Sequence, residues 1–203
     1  MNVNKSKTII CGLSFLALFI ALLIQNEILS SVLILLCLSA ALFFLYRNLA
    51  SLSNVSEDNP KLKTVRFITI FNVVVIAGVV VFAFLIEKGV IYLTESQGRY
   101  FFSAFLAVLV IVFGNLAPKL PFNRYTGLRL PWTVRDEETW IVAHRILGYI
   151  SLPIGILCFA GATFQMEFDL WIKVWFLTPL FVWIGIPAAY SGLFYYRKYS
   201  GKL

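Results

Sequence analysis

The sequence predicts an all-α fold, a polytopic transmembrane helical bundle with about six spanning helices, and three observations predict it. Of 203 residues, 60% are apolar and only 13% charged, where soluble domains carry roughly 25% charged residues. The apolar residues collect in six blocks, most of them near or above the length of about 18 residues that can cross a hydrocarbon core of roughly 30 Å. The alternating segments of about ten residues that a membrane β-barrel needs are absent, and a lone segment in lipid satisfies its own backbone only as a helix.

The blocks run over Thr8 to Ile24, Ile28 to Tyr46, Phe67 to Ile86, Tyr100 to Ala117, Ile141 to Phe164 and Leu170 to Tyr196. Residues 1–203 are expected to form a single membrane domain, with three helices over 1–98 and a second half over 99–203 that contains a distinctive inner loop, 115–148. Lys5 and Lys7 before the first block resemble a signal peptide, but no small-residue cleavage site closes the run, so an uncleaved first helix is expected. Cys11, Cys37 and Cys158 lie inside apolar blocks with no C-x-x-C spacing; they read as packing residues, with no disulfide framework and no metal site. A lipid anchor at Cys11 is not expected behind the bulky Ile10.

Orientation follows from the basic residues of the connectors. Thirteen of the 17 Lys and Arg fall in one set of segments: Lys5, Lys7, Arg47, Lys61, Lys63, Arg66, Lys119, Arg124, Arg129, Arg135, Arg197, Lys198 and Lys202. The opposite set has only Lys88 and Arg99, while Arg145 and Lys173 lie near helix ends. Acids are even, with Glu57, Asp58, Asp136, Glu137 and Glu138 on the first side and Glu27, Glu87, Glu95, Glu167 and Asp169 on the second. The expected arrangement in a bacterial cell membrane therefore puts both termini and the two longest basic loops in the cytoplasm. The basic pI of about 9.4 reads as a topology signature; a direct nucleic-acid reader would need a basic face on a soluble module.

The connector Arg47 to Arg66, with Ser-Asn-Val-Ser-Glu-Asp-Asn-Pro, reads as a turn-rich linker open to cleavage or insertion. Ala17-x-x-x-Ala21, Ser151-x-x-x-Gly155 and Ala188-x-x-x-Gly192 are small-residue pairs that let helices approach closely. Pro153, Pro179 and Pro187 each remove a backbone donor and can kink a helix.

The segment Asn115 to Gly148 departs from a generic bundle. Pro118, Pro121, Asn123 and Gly127 favour turns, so its first half is expected to be an ordered loop. Thr133, three residues before Asp136, is a candidate N-cap for the next helix, and Asp136, Glu137 and Glu138 suit its positive end. Glu137, Trp140 or Ile141, His144 and Gly148 share a helical face. Trp132 and Trp140 suit indole rings at headgroup level. A sharper reading gathers Arg124, Arg129, Trp132, Trp140, His144 and Arg145 into a cytoplasmic-side site for an anionic headgroup or a partner peptide. For His144 the plainest role is an internal hydrogen bond or ion pair; binding comes second. Catalysis comes last, with Glu137 or Glu138 as partner but no nucleophile or metal companions in sight. Arg145 is expected to snorkel or to pair with Glu138 or Glu137, and Lys173 to snorkel beside Trp171 and Trp175. A non-enzymatic, cofactor-free protein follows.

Asn123, Gly127-Leu128-Arg129, Pro131-Trp132, the acidic spacer Asp136 to Glu138, and Trp140-x-x-x-His144-Arg145-x-x-Gly148 together resemble the signature of the SdpI family of bacterial membrane immunity proteins. The resemblance covers about Tyr100 to Lys173. It implies a multi-pass protein that protects its producer from a secreted, membrane-active peptide toxin and holds a cytoplasmic winged-helix repressor at the membrane. Asn123, Gly127, Arg129, Pro131, Trp132, Trp140, His144, Arg145 and Gly148 are then the binding motif, with no catalytic or metal residues. One difference from many members is the first outer connector, only Gln25 to Glu27 here against a longer Pro-rich loop. A small transporter or channel is the alternative, although Asn72 and Asn115 are the main polar residues inside the blocks.

Overall fold

The computed structural model describes residues 3–53, 55–123 and 126–201. Helices make up most of it: α1 (Val3–Leu23), α2 (Glu27–Arg47), α3 (Leu49–Ser53), α4 (Leu62–Glu87), α5 (Glu95–Leu116), α6 (Glu137–Ala160), α7 (Phe168–Trp171) and α8 (Thr178–Tyr199). A π-helical stretch, Ile172–Leu177, joins α7 to α8, so that Phe168–Tyr199 is one continuous helix. Five helices are long and apolar enough to cross a membrane, and Val32–Arg47 within α2 is a shorter apolar helix. Among the described residues there is no strand, and the all-α multi-pass expectation holds. The six blocks fall on six helices, each of which starts one to five residues earlier than hydropathy alone suggests.

By contacts the chain divides into two compact units, residues 1–69 and 70–203. In the first, the α1–α2 hairpin turns over Ile24 to Asn26, and Asn26 caps α2 by accepting the Leu29 N–H at 3.0 Å. The polar connector after α2 is more ordered than its composition suggests. It contains α3, and Ala50, Val55 and Leu62 bury against one another, which replaces the open linker expected there; Asn54 lies outside the described residues. Arg66 sits over the Tyr46 ring, 6.0 Å from its centre, a cation–π contact within this unit.

The second unit is built around α6. Its buried residues Trp140, Ala143, His144, Leu147, Ser151, Ile154, Gly155 and Cys158 recur every three or four positions, the stripe a helix needs to face its neighbours. Small residues let α5 come close. A Cβ on Gly155 would lie 2.6 Å from Ile111 Cγ1, one on Gly148 would lie 2.8 Å from Pro118 Cγ, and one on Gly114 would overlap the Ser151 side chain. Ser151 and Gly155 therefore do serve helix approach, as their spacing predicts. Ser151 Oγ donates back to the Leu147 carbonyl and accepts the Trp183 indole N–H at 2.7 Å, which ties α8 to the same seam. Leu106, Ala107, Val110, Ile154 and Cys158 form the core between α5 and α6. Of the three cysteines only Cys158 is buried; Cys11 is exposed, so the packing role expected of it is not met.

The π-helical stretch has a local cause. Pro179 has no N–H to give to the carbonyl four residues back, and the Thr178 N–H and Oγ1 both reach the Lys173 carbonyl five residues back.

Candidate functional site

The loop between α5 and α6 folds back onto the first turns of α6. It begins with a 3-10 turn, Ala117–Lys119, that carries Pro118, after which Leu120 and Pro121 are buried. Asn123 is buried as well, and its side chain organises the next turn: Nδ2 donates to the Pro121 carbonyl at 2.8 Å, while Oδ1 accepts the Thr126 N–H at 2.7 Å and its hydroxyl at 3.0 Å. This is a side-chain substitute for a backbone turn, a habit of asparagine. Arg124, one of the sequence candidates, lies outside the described residues.

Gly127 follows with φ at 100°, a region that side chains with a Cβ avoid. Its second constraint is space: a Cβ there would lie 2.8 Å from the Trp140 ring and closer still to His144 Nε2. The glycine therefore lets the loop backbone lie directly on the Trp140–His144 pair, whose rings stack at 3.9 Å. Phe122 meets Trp140 edge-on at 5.8 Å.

His144 is 1% exposed and both of its ring nitrogens are used. Nε2 accepts the Leu128 backbone N–H at 3.0 Å, and Nδ1 lies 2.8 Å from the Trp140 carbonyl. A backbone N–H can only donate, so Nε2 carries no proton and Nδ1–H donates to the carbonyl. The imidazole is thus a neutral bridge between loop and helix. Thr133, fully buried, completes the clamp by donating from Oγ1 to the Leu128 carbonyl at 2.7 Å and accepting the Leu130 N–H at 2.8 Å. Both backbone groups of Leu128 are held by side chains remote in sequence or across the turn.

Several expectations need correction. Thr133 is not the N-cap of α6; Asp136 is, accepting from the Thr139 N–H at 2.9 Å and its hydroxyl at 2.6 Å. A carboxylate reaches the free N–H groups as well as a hydroxyl does and adds charge at the dipole's positive end. Trp140 is not an interfacial indole: it is 1% exposed, and its Nε1–H has no partner among the described residues. Trp132 is half-buried against α8, its indole N–H donating to Ser191 Oγ at 3.0 Å and its ring lying 3.4 Å from where a Cβ of Gly192 would be. Arg145 does not pair with Glu138 or Glu137. Lys198, at the far end of α8, takes Glu138 at 2.7 Å and Asp136 at 2.8 Å. Of the helical-face alternatives it is Trp140 that is buried with His144, while Ile141 is exposed.

Burial pushes the Asp136 carboxyl up, but hydrogen bonds from Lys198 and Thr139 outweigh it and hold it below the usual carboxylate range. The sequence motif thus divides by role. Asn123, Gly127, Trp132, Trp140, His144 and Gly148 shape and seat the loop. Arg129, Pro131 and Arg145 are exposed, and among the described residues neither arginine has a carboxylate partner. Residues that the motif did not flag as partners of the site are Thr126, Lys198 and Ser191. Asp136-x-x-Thr139 is the one local signal that pointed to the true cap. Among the described residues no group of three or more His, Cys, Asp or Glu is placed to hold a metal ion.

Fold and site together define a multi-pass helical membrane protein whose distinguishing part is a loop folded onto a buried histidine. That part has known relatives: residues 119–191 match the model of the SdpI/YfhL protein family, so the resemblance carried by the Gly-x-Arg, Pro-Trp and Trp-x-x-x-His-Arg pattern is borne out over this segment. The chain is also similar to the immunity protein SdpI of Bacillus subtilis (strain 168), 28% identical over 97 residues that cover 48% of this chain and 45% of that protein. The chain thus spans somewhat under half the length of the curated relative it matches. No solved structure matches.

Proposed function

We propose that this chain is an integral membrane immunity protein that protects its cell from a secreted, membrane-active peptide toxin, and that it works by binding and not by chemistry. One observation carries the reading. In the segment similar to an immunity protein, the loop uses its polar side chains on its own architecture, with both nitrogens of His144 taken by backbone groups, and leaves Arg129 exposed. A histidine so engaged is no general base. An arginine held on an ordered loop suits a carboxylate or phosphate of a partner, because its fork of donors is already oriented.

The excess of Lys and Arg on one set of connectors supports an arrangement with the termini and this loop in the cytoplasm. The toxin is then met on the opposite side, and the Arg129 loop is the surface for a cytoplasmic winged-helix repressor. Expression in a toxin-sensitive strain followed by challenge with candidate peptide toxins is the direct test. Protection by the wild type is expected, and Arg129→Ala, with the protein still at normal level in the membrane, is expected to lose the repressor from the membrane while the toxin-facing side is unchanged. Unchanged killing across the toxin panel in cells that make the wild-type protein refutes the immunity reading.

A further inference from the structure

Within the second unit, α4 and α5 enclose an apolar groove of about 480 Å³ lined by Phe82, Phe101, Phe102, Phe105 and Phe176. The wall is held in place by its own contacts: Phe82 and Phe101 stack at 4.3 Å, and Phe101 meets Phe102 edge-on at 5.5 Å. Phe176 comes from the π-helical stretch. Gly78 of α4 also lines the groove, and a Cβ there would touch nothing within 4 Å. Phe102 is shared with a second hollow of about 280 Å³ at the start of α5, whose one charged lining residue is Glu95. The two hollows adjoin at Phe102, the smaller with Glu95 on its wall and the larger lined by phenylalanines.

Glu95 is the charge that a ligand would meet in the smaller hollow. Among the described residues Glu95 has no ion-pair partner. The basic residues closest in sequence are engaged elsewhere, Lys88 over the Phe84 ring at 5.5 Å and Arg99 Nη1 on the Met166 carbonyl at 2.7 Å.

We propose that this groove binds an amphipathic, cationic peptide segment, with large apolar side chains against the phenylalanines and a Lys or Arg of the peptide at Glu95. The proposal rests on the immunity reading and names the place where its toxin docks. The volume lies within the range of roughly 300–1,000 Å³ typical of ligand sites, enough for a few large side chains and too little for a whole helix. Charge selects the occupant. A phospholipid seated by its acyl chains would bring a phosphate toward Glu95, whereas a peptide cation is complementary there and gains further from the ring faces beside it.

The test uses the full chain in phosphatidylcholine nanodiscs. The probe is a dansylated synthetic peptide of Leu and Phe that begins Lys-Lys, with Gln-Gln and Glu-Glu versions for comparison. The Lys-Lys peptide is expected to bind about tenfold tighter than the Glu-Glu peptide. Gly78→Leu, which fills the groove, weakens the Lys-Lys peptide by about tenfold or more, while Gly185→Leu, where a Cβ also meets nothing within 4 Å, leaves binding unchanged. Glu95→Gln weakens the Lys-Lys peptide about fivefold and leaves the Gln-Gln peptide unaffected. Should Gly78→Leu fail to fold, Glu95→Gln decides alone. Equal binding of the Lys-Lys and Glu-Glu peptides, or no effect of either groove variant, overturns the proposal. In cells, Gly78→Leu that protects like the wild type sinks the groove alone. A wild type that binds the Lys-Lys peptide but protects against nothing sinks the immunity reading alone.

Discussion

Gly127→Ala is the sharpest perturbation of the loop, because one methyl group acts there in two independent ways. The backbone at this position has φ of 100°, and placing a Cβ in such a conformation costs on the order of 1 kcal/mol. The same Cβ would sit 2.8 Å from the Trp140 ring and closer to His144 Nε2, an overpacking that costs about 1–3 kcal/mol because both rings are buried and stacked. The two terms give about 2–4 kcal/mol against the closed loop, which raises the population of its open form by about 30-fold to 1,000-fold. The Leu128 amide reports this directly, since among the described residues His144 is what holds its hydrogen. Hydrogen exchange in nanodiscs should show Leu128 exchanging faster by that factor, while amides of the α5–α6 seam hold their protection. Gly89→Ala is the control: it too has a positive φ, of 67°, but the nearest atoms are the end of the movable Tyr92 side chain, so it leaves Leu128 unaffected. Leu128 exchange within about threefold of wild type in Gly127→Ala would refute the claim that the loop is seated by close approach of backbone to the Trp140–His144 pair.

His144→Ala removes an acceptor, a donor and a stacked ring at once, and should lower stability by about 3 kcal/mol, read as a fall in thermal midpoint in detergent; a shift within error would refute its role as the bridge between loop and helix. Asp136 contributes stability that is present above the ordinary carboxylate pKa of about 4 and is lost as pH falls through its lower folded-state value. Acid titration should therefore destabilise the wild type over that range, and Asp136→Asn should be less stable at neutral pH and flatter in its acid response. Gly114→Ala places a Cβ on top of the Ser151 side chain and should force α5 from α6, with loss of folded protein from the membrane fraction, whereas Gly12→Ala, which meets nothing within 4 Å, should be silent. Cysteine substitutions at exposed Arg129 and at Glu95 should label from opposite sides of intact cells if the connector charges set the topology.

What was legible in the sequence is what is local. The spans follow from uninterrupted apolar length, and the small residues Ser151 and Gly155 follow from helical spacing, because both signals lie within one segment. The motif likewise announced that residues 123–148 were special. It could not announce how, since the bonds that matter join positions far apart: His144 to the Leu128 amide, Trp132 to Ser191, and Lys198 to Asp136 and Glu138. Tryptophan and arginine misled for a shared reason. Near a helix end in an apolar chain both usually serve the interface, so a buried Trp140 stacked on histidine looks the same in sequence as a headgroup anchor. The acids at the start of α6 look bound for Arg145 by proximity, yet Arg145 lies two helical turns beyond Glu138, about 10 Å along the axis, while α8 delivers Lys198 directly to Asp136 and Glu138. The physical consequence is that the loop is fastened to two helices, by His144 to α6 and by Trp132 and Lys198 to α8. A shift of α8 therefore pulls on the loop that carries Arg129, and substituting Ser191 by Ala, which removes the Trp132 indole bond and the serine's own local bond to the Ala188 carbonyl, should loosen that loop by about 1 kcal/mol with His144 still in place. Faster exchange of the Trp132 indole hydrogen with Leu128 unchanged would show the two fastenings to be separate; coupled changes at both would show a single clamp.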